Sequence, residues 1–247
     1  MKYVLISLIV FLVCVAPAWA SFTFVNAQGA NSSSSSSLAT TTWSSTTGDM
    51  VGCSIAMFGQ TISTVKDANN LSFTVQSVVT SGGSGNQYTA YAFGITANAA
   101  YKVTVTTTGG PNELSIACAE FTPPNGTTPA LDVTNTATGN NAGPTVSLAS
   151  VTAGDLVIGG VTFDASGAPS AGSGYTLPTN GAQPSNGDTG SHQPTAIEYN
   201  LNAAGGTTTV NFTVTSGTWA IRGTAFKAVA SGGTVNCTMK SMGAGPC

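Results

Sequence analysis

Apolar and polar residues alternate with a period of two in several stretches of the chain. The clearest stretches are 71–76, 101–106 and 210–215, where Leu, Phe, Tyr or Val alternates with Ser, Thr, Asn, Gln or Lys. Such alternation predicts strands with one face in a core and the other toward water. Clusters of Gly and Asn separate these stretches, as turns would. The pattern therefore predicts an all-β protein, an antiparallel β-sandwich of the immunoglobulin-like or jelly-roll-like kind.

The two halves of the chain repeat each other. Three blocks match in the same order and at a nearly constant spacing: 47–51 with 153–157, 89–91 with 195–197, and 114–121 with 219–226. A repeat of this length is enough for one small sandwich. We predict repeat one over 21–128, repeat two over 129–231 and a tail over 232–247. The sequence leaves open whether the repeats form two sandwiches in tandem or merge into one larger sandwich.

The first 20 residues differ from the rest. Lys2 precedes an apolar run over 4–15, Pro17 interrupts this run, and residues 18–20 fit the small-x-small pattern of a cleavage point. The run is shorter than the ~20 residues that a membrane span needs, so it predicts a secretory signal peptide over 1–20. We expect a mature chain that is extracellular or displayed at the cell surface and has no membrane span.

Charge is scarce throughout. Charged residues make up 6% of the chain, with six Lys and Arg against nine Asp and Glu. An average soluble protein has roughly a quarter of its residues charged. The few basic residues do not cluster, which excludes a nucleic-acid binder. Coiled coils and helical bundles are excluded as well, because they need Glu, Lys, Arg and Leu in quantity.

The cysteines predict disulfides. Four of them follow the signal peptide: Cys53, Cys118, Cys237 and Cys247. Cys53 and Cys118 align with Gly159 and Gly223 of repeat two, so both are absent there together, as a bonded pair would be. We predict a core disulfide between Cys53 and Cys118 and a second one between Cys237 and Cys247. A zinc site is the weaker alternative, because the chain has one His and no CxxC spacing.

Candidate chemistry is sparse. His192 is the single histidine, and any Ser-His-acid triad would need it, with Asp188 or Glu198 as the acid. No Gly-x-Ser-x-Gly segment supplies a nucleophile, so we interpret His192 as an exposed loop residue. Asp164, Asp188 and Glu198 could supply a carboxylate pair, although some pair arises by accident in any sandwich. We predict no enzyme, and no catalytic, cofactor-binding or metal-binding residue.

Three further acids, Asp49, Asp155 and Glu120, lie at positions that suggest a structural role. Asp49 and Asp155 follow Gly at equivalent places in the two repeats. We interpret them as turn residues whose carboxylates accept backbone amides, since a calcium site would need more oxygen ligands. Glu120 shares the parity of Cys118. It either lies past the buried part of its strand or is buried with a partner that the sequence does not name.

Aromatic side chains could form a platform for sugars, although rings on strands are more often in a core. Trp219 aligns with Leu114, which favours a core position. Trp43 lies in a polar stretch of Thr and Ser, and we predict it as the exposed ring and the possible ligand contact.

Several segments resemble a group of large secreted bacterial proteins with duplicated β-sandwich modules. These segments are 65–73, 91–93, 119–121 with 129–133, and 153–157, and the likeness extends over 22–229. The chain departs from that pattern at 66–70, where a glycine is missing. The group has no assigned activity, so no functional residue is carried over. The resemblance implies an extracellular, adhesin-like or surface-displayed module.

These observations together predict a secreted, non-enzymatic protein with an adhesive or structural role outside the cell. Hydroxyl-rich, weakly charged strand faces suit contact with carbohydrate or with other surface proteins. The first alternative is a lectin-like, carbohydrate-binding module that acts through exposed aromatic rings. The second is a subunit of an extracellular filament or phage-like appendage that associates through unpaired edge strands.

Overall fold

The computed structural model describes residues 21–81, 85–164, 167–183 and 194–231. These residues form strands and no helix, and all strand pairs are antiparallel, which confirms the predicted all-β, sandwich-type fold. The predicted signal peptide over 1–20 and the predicted Cys237–Cys247 bond lie outside the described residues. Asp188 and His192 do so too.

In the described part of the first half, nine strands occur: β1 (Thr23–Ser35), β2 (Ser37–Ala39), β3 (Met50–Met57), β4 (Thr61–Asp67), β5 (Thr74–Val75), β6 (Val79–Ser81), β7 (Gly85–Phe93), β8 (Val103–Thr108) and β9 (Asn112–Thr122). They form a large sheet in the order β1-β9-β3-β7-β5, with β6 also on β7, and a small sheet in the order β2-β8-β4.

In the described part of the second half, eight strands follow: β10 (Thr127–Asn141), β11 (Thr145–Val151), β12 (Leu156–Phe163), β13 (Ser170–Ala171), β14 (Ala182–Gln183), β15 (Thr195–Asn200), β16 (Gly206–Thr213) and β17 (Gly217–Ala230). The large sheet has the order β10-β17-β12-β15-β14 and the small sheet the order β11-β16-β13. Strand order is thus the same in both halves. The predicted boundary after residue 128 falls inside β10, whose first residue, Thr127, pairs with Ala230.

Three apolar cores separate four layers of sheet. One core lies between the large and small sheets of the first half, and a second lies between those of the second half. The third core lies between the two large sheets and contains residues such as Met50, Phe121, Leu156 and Phe226. The layers therefore follow the order small, large, large, small. The central strands β3 and β12 are buried at every residue because both of their faces are covered.

The two large sheets meet about an approximate two-fold axis. Phe121 packs edge-on against Tyr199 at 5.3 Å, and its repeat-two counterpart Phe226 packs edge-on against Phe93 at 5.7 Å. Phe93 and Tyr199 are themselves counterparts. Reciprocal contacts of this kind define a two-fold, self-complementary interface.

Small residues let the large sheets approach closely along this axis. A Cβ atom on Gly52 would lie 2.6 Å from Cδ1 of Ile158, and one on Gly160 would lie 2.9 Å from Oγ of Ser54. Each contact joins a residue to its own counterpart in the other repeat. Because glycine faces a bulkier counterpart in both pairs, the interface favours pairing of unlike repeats.

Polar groups fix the relative position of the sheets away from the third core. Ser54 Oγ and Thr195 Oγ1 form a buried hydrogen bond of 2.8 Å. Arg222 of β17 is 4% exposed and donates from Nη2 to the carbonyl of Ser77 in the first half. These bonds have a directional geometry that apolar packing lacks, so they orient one sandwich on the other.

The predicted core disulfide between Cys53 and Cys118 is present and joins residues that pair directly on β3 and β9. Its sequence separation of 65 corresponds to about 4 kcal/mol in the chain-entropy model. Gly159 and Gly223 pair in the same way on β12 and β17. Val210 fills the space above both glycines, which explains how repeat two packs without the bond.

One predicted strand is shorter than expected. The alternating stretch 71–76 contributes only Thr74–Val75, because a tight turn precedes it. Asp67 Oδ1 accepts the backbone amides of Asn69 and Leu71, both at 2.8 Å, and Asn70 adopts a φ of 66°. Asn is one of the few residues other than glycine that tolerates this left-handed conformation.

We expect the substitution Gly52→Ala to lower the free energy of unfolding by about 1–3 kcal/mol, because the added methyl group overpacks the interface against Ile158. Combining it with Ile158→Ala vacates that space, so the double variant should lose less than the sum of the two single variants. Denaturant titrations measure all three. Gly110→Ala, at an open position, serves as the control. Strict additivity of the two changes would contradict the contact.

Candidate functional site

Two pairs of acids lie at equivalent turns in the two repeats, directly before β3 and β12. The first pair is Asp49 with Glu120 of β9, and the second is Asp155 with Asp132 of β10. The Gly-Asp turn is common to both halves, but the second acid comes from a different strand in each. Each pair contains one acid with a strongly raised pKa, Glu120 in the first and Asp155 in the second.

Glu120 is fully buried beneath the loop that precedes β3. Its Oε1 accepts the backbone amide of Thr46 at 2.9 Å, and its Oε2 accepts the indole N–H of Trp43. Burial raises the pKa of Glu120 to about 7, the Asp49 carboxyl adds to the rise, and the two donors oppose it. The prediction that Glu120 could lie past the buried part of its strand is wrong. The alternative of a buried, partnered acid is correct.

Trp43 is one of those partners, and the prediction that its ring is exposed is wrong. The side chain is only 5% exposed and packs edge-on against Tyr101 at 4.8 Å. A backbone bridge between the same two residues anchors the polar Thr and Ser stretch to the sandwich, which turns the ring inward. Trp43 therefore offers no stacking surface for a ligand.

The second pair, Asp155 with Asp132, differs from the first because a lysine forms an ion pair with one of its acids. Thr152 donates its amide to Asp132 Oδ2 at 3.2 Å and to Asp155 Oδ2 at 3.3 Å. Lys227 Nζ lies 2.9 Å from Asp132 Oδ1. Burial opposes ionisation of Asp132, but the bonds from Lys227 and Thr152 outweigh it and lower the pKa. Burial and the neighbouring Asp132 raise the pKa of Asp155 to about 7.

The raised pKa values of Glu120 and Asp155 favour a protonated carboxyl at one position of each pair below about pH 7. A protonated carboxyl can donate to its ionised neighbour, whereas two adjacent carboxylates repel each other. The backbone amide of Thr152 confirms that Asp155 is an amide-accepting turn residue. Asp49 instead accepts the hydroxyl of Thr122 at 2.9 Å. In the described part of the chain, no group of three His, Cys, Asp or Glu side chains is close enough to hold a metal ion.

An open cavity of about 170 Å³ lies beside Asp49. It is lined by the end of the loop before β3 and by the segment that joins the repeats: Thr47, Gly48, Asp49, Thr122, Pro123, Pro124, Asn125, Gly126 and Thr127. Only one titratable group lines it, and that group is already bonded to Thr122. The cavity therefore places no acid–base pair in reach of a substrate.

Glu198 is a third perturbed acid and lies inside the core of repeat two. Its Oε2 accepts the amide of Gly172 at 2.8 Å, and the backbone amide of Asn211 also donates to the carboxyl group, while Oε1 is buried and has no geometrically well-formed hydrogen bond among the described residues. Burial raises the pKa of Glu198 to about 8, with the two amides opposing the rise. Gly159, which aligns with Cys53, leaves the room for this carboxyl group.

The remaining sequence candidates do not converge. Asp164 is exposed at the end of β12, whereas Glu198 is enclosed in the core, so the structure does not join them as a carboxylate pair. Trp219 is 4% exposed, as its alignment with Leu114 predicts. The sequence did not identify Glu198 as a core residue, because residues 195–199 are buried on both faces and show no alternation.

No protein-family model matches this chain, and a comparison with curated protein sequences finds no match either. No helix that could cross a membrane occurs among the described residues.

The three acids with raised pKa values make stability fall as the pH rises. The folded pKa of Asp155 lies above the unfolded value of about 3.9, so the folded state holds more protons between the two. Its contribution to stability is fully present below pH 4 and is lost as the pH rises to about 7. The slope is at most about 1.4 kcal/mol per pH unit. Glu120 and Glu198 act in the same direction.

We expect Asp155→Asn to abolish this loss at its site, because the Asn amide can donate to Asp132 as the protonated acid does. The variant should match wild type near pH 4 and exceed its free energy of unfolding at pH 8. Denaturant titrations across this range measure the difference. Asp164→Asn changes an exposed acid and should leave the wild-type profile unchanged. A gap between Asp155→Asn and wild type that stays constant from pH 4 to pH 8 would rule out the shared proton.

Proposed function

We propose that this protein is a secreted, non-enzymatic β-sandwich scaffold with an adhesive or structural role outside the cell. The observation that carries the proposal is the chemistry of the outer faces of the two small sheets. Both faces present Thr, Ser and Asn side chains with almost no charge. The outward residues of the second are Thr145, Ser147, Ser170, Thr207, Thr209, Asn211 and Thr213, none of them ionisable.

The perturbed acids support a structural role. A catalytic acid or base must reach a substrate proton. Glu120, Asp155 and Glu198 are instead enclosed by hydrogen bonds from the chain's own backbone and side chains. They stabilise turns and fill a core. Burial accounts for their raised pKa values, and none of them needs to contact a substrate to explain these values.

The filament alternative has one specific observation in its favour. Strands β1 and β10 are long edge strands, and they lie at opposite ends of the stacked large sheets. An edge at each end would allow one copy to join two others. Analytical ultracentrifugation at rising concentration tests this alternative, and a monomer throughout would contradict it.

The test of the adhesive role combines location and binding. We expect the full-length chain, expressed in a secreting bacterium, to leave the cytoplasm and to begin near Ser21 by N-terminal sequencing. Beads coated with this product should adhere to at least one of three surfaces: an uncharged polysaccharide, an anionic polysaccharide or a protein film. Beads coated with the heat-unfolded chain are the control. Retention in the cytoplasm, or adhesion no better than the control, would contradict the proposal.

A further inference from the structure

The two hydroxyl-rich faces lie at opposite ends of the molecule. The layers follow the order small, large, large, small, and the apolar residues of each small sheet point inward to its own core. The other faces of the small sheets therefore point away from each other. The approximate two-fold axis between the large sheets relates one face to the other.

The face of the first small sheet is built from cross-strand rows. Thr61 lies beside Thr108, Thr64 and Ser37 flank Thr106, and Lys66 and Ala39 flank Thr104. Thr61 Oγ1 and Thr108 Oγ1 lie 2.5 Å apart and are exposed. Neighbouring strands are separated by about 4.8 Å and alternate residues on a strand by about 7 Å, so hydroxyl and methyl groups recur at short, regular intervals.

The second face has the same character. Ser147 lies beside Thr209, Thr145 lies beside Asn211, and Ser170 lies beside Thr213. These side chains are exposed or half-buried. Lys66 on the first face is the single ionisable side chain among the residues that form these rows.

The chemistry of these faces selects the partner. Faces with a single charge between them give little electrostatic attraction to an anionic or cationic polymer, whereas their hydroxyls can exchange hydrogen bonds with a neutral one. Each Thr also offers a methyl group to the C–H surface of a sugar ring. A second copy of the chain is a poorer fit, because these faces carry little apolar area to bury.

Resting on the proposed extracellular role, we infer that the two outer faces are equivalent binding sites for uncharged polysaccharide and that one molecule cross-bridges two polymer chains. Each face has no aromatic ring in its rows, so each site alone binds weakly. Because the two faces point in opposite directions, they cannot both engage one particle surface, and the second site instead joins a second particle or polymer chain.

The experiment compares four forms of the secreted protein on two uncharged probes, cellulose nanocrystals and dextran-coated particles. Thr61→Lys with Thr106→Lys blocks the first face, Thr145→Lys with Thr209→Lys blocks the second, and a fourth form carries all four changes. Lysine is long and charged, so it disrupts close contact while remaining solvated on an exposed strand. Thr138→Lys on exposed β10, outside both faces, is the matched control, and denaturant titration checks that each form folds.

Light scattering should show that the wild-type and control proteins aggregate both probes. Each single-face form should still sediment with the probes but should lose aggregation, because one remaining face cannot join two particles. The four-change form should lose binding. Carboxymethyl-dextran particles, the charged counterpart, should aggregate less than dextran particles.

Three results would overturn the inference. They are no aggregation of either uncharged probe, undiminished aggregation by a single-face form, and association of the protein with itself through these faces in the absence of polymer. Adhesion only to the protein film or the anionic polysaccharide in the bead test would overturn the inference while leaving the adhesive role intact. Adhesion to no surface would remove both.

Discussion

The packing of the two large sheets against each other governs the rest of the molecule. Each large sheet is covered on both faces, by its own small sheet on one side and by the other large sheet on the opposite side. A sheet in that position has no face toward water. Its central strands therefore cannot alternate polar with apolar residues, and they are built mainly from small and apolar residues such as Gly, Ala, Val, Ile and Met.

This burial accounts for the unusual state of the acids. A carboxyl group that enters a covered layer must be partnered or neutral. Glu120 receives two donors and has a raised pKa, and Asp155 has a raised pKa next to Asp132, beside Lys227. Glu198 has two backbone donors and a raised pKa in the core of repeat two. Scarcity of charge and perturbed acids are thus two consequences of one architecture, and the polar surface is confined largely to edges, loops and the outer sheets.

The sequence predicted the features that depend on local alternation and on the repeat. These features are the strand periodicity at 101–106 and 210–215 and the paired absence of cysteine at 159 and 223. The sheets and the disulfide follow from these facts. Prediction from the sequence failed where the position of a residue depends on contacts with residues far away along the chain. Trp43 lies among polar neighbours in sequence, and its inward position is set by Tyr101 and Glu120, which are far away along the chain.

The interface between the repeats also could not be predicted from local sequence patterns. Gly52 and Ile158 are ordinary strand residues in sequence, and only the face-to-face arrangement shows that one makes room for the other. Duplication gives two similar units, whereas unlike residues at counterpart positions make their pairing asymmetric. These interface positions can be recognised in the sequence only once the contact between counterpart residues is known.

Native-state hydrogen exchange tests this architecture most directly. If the third core joins the two sandwiches into one cooperative unit, the amides of β3 and β12 will be the slowest to exchange and will share one free energy of opening, equal to that of global unfolding. The disulfide stabilises only the first half, so two independently unfolding halves would have different free energies of opening. Exchange of β12 at a clearly lower free energy than β3 would contradict the account.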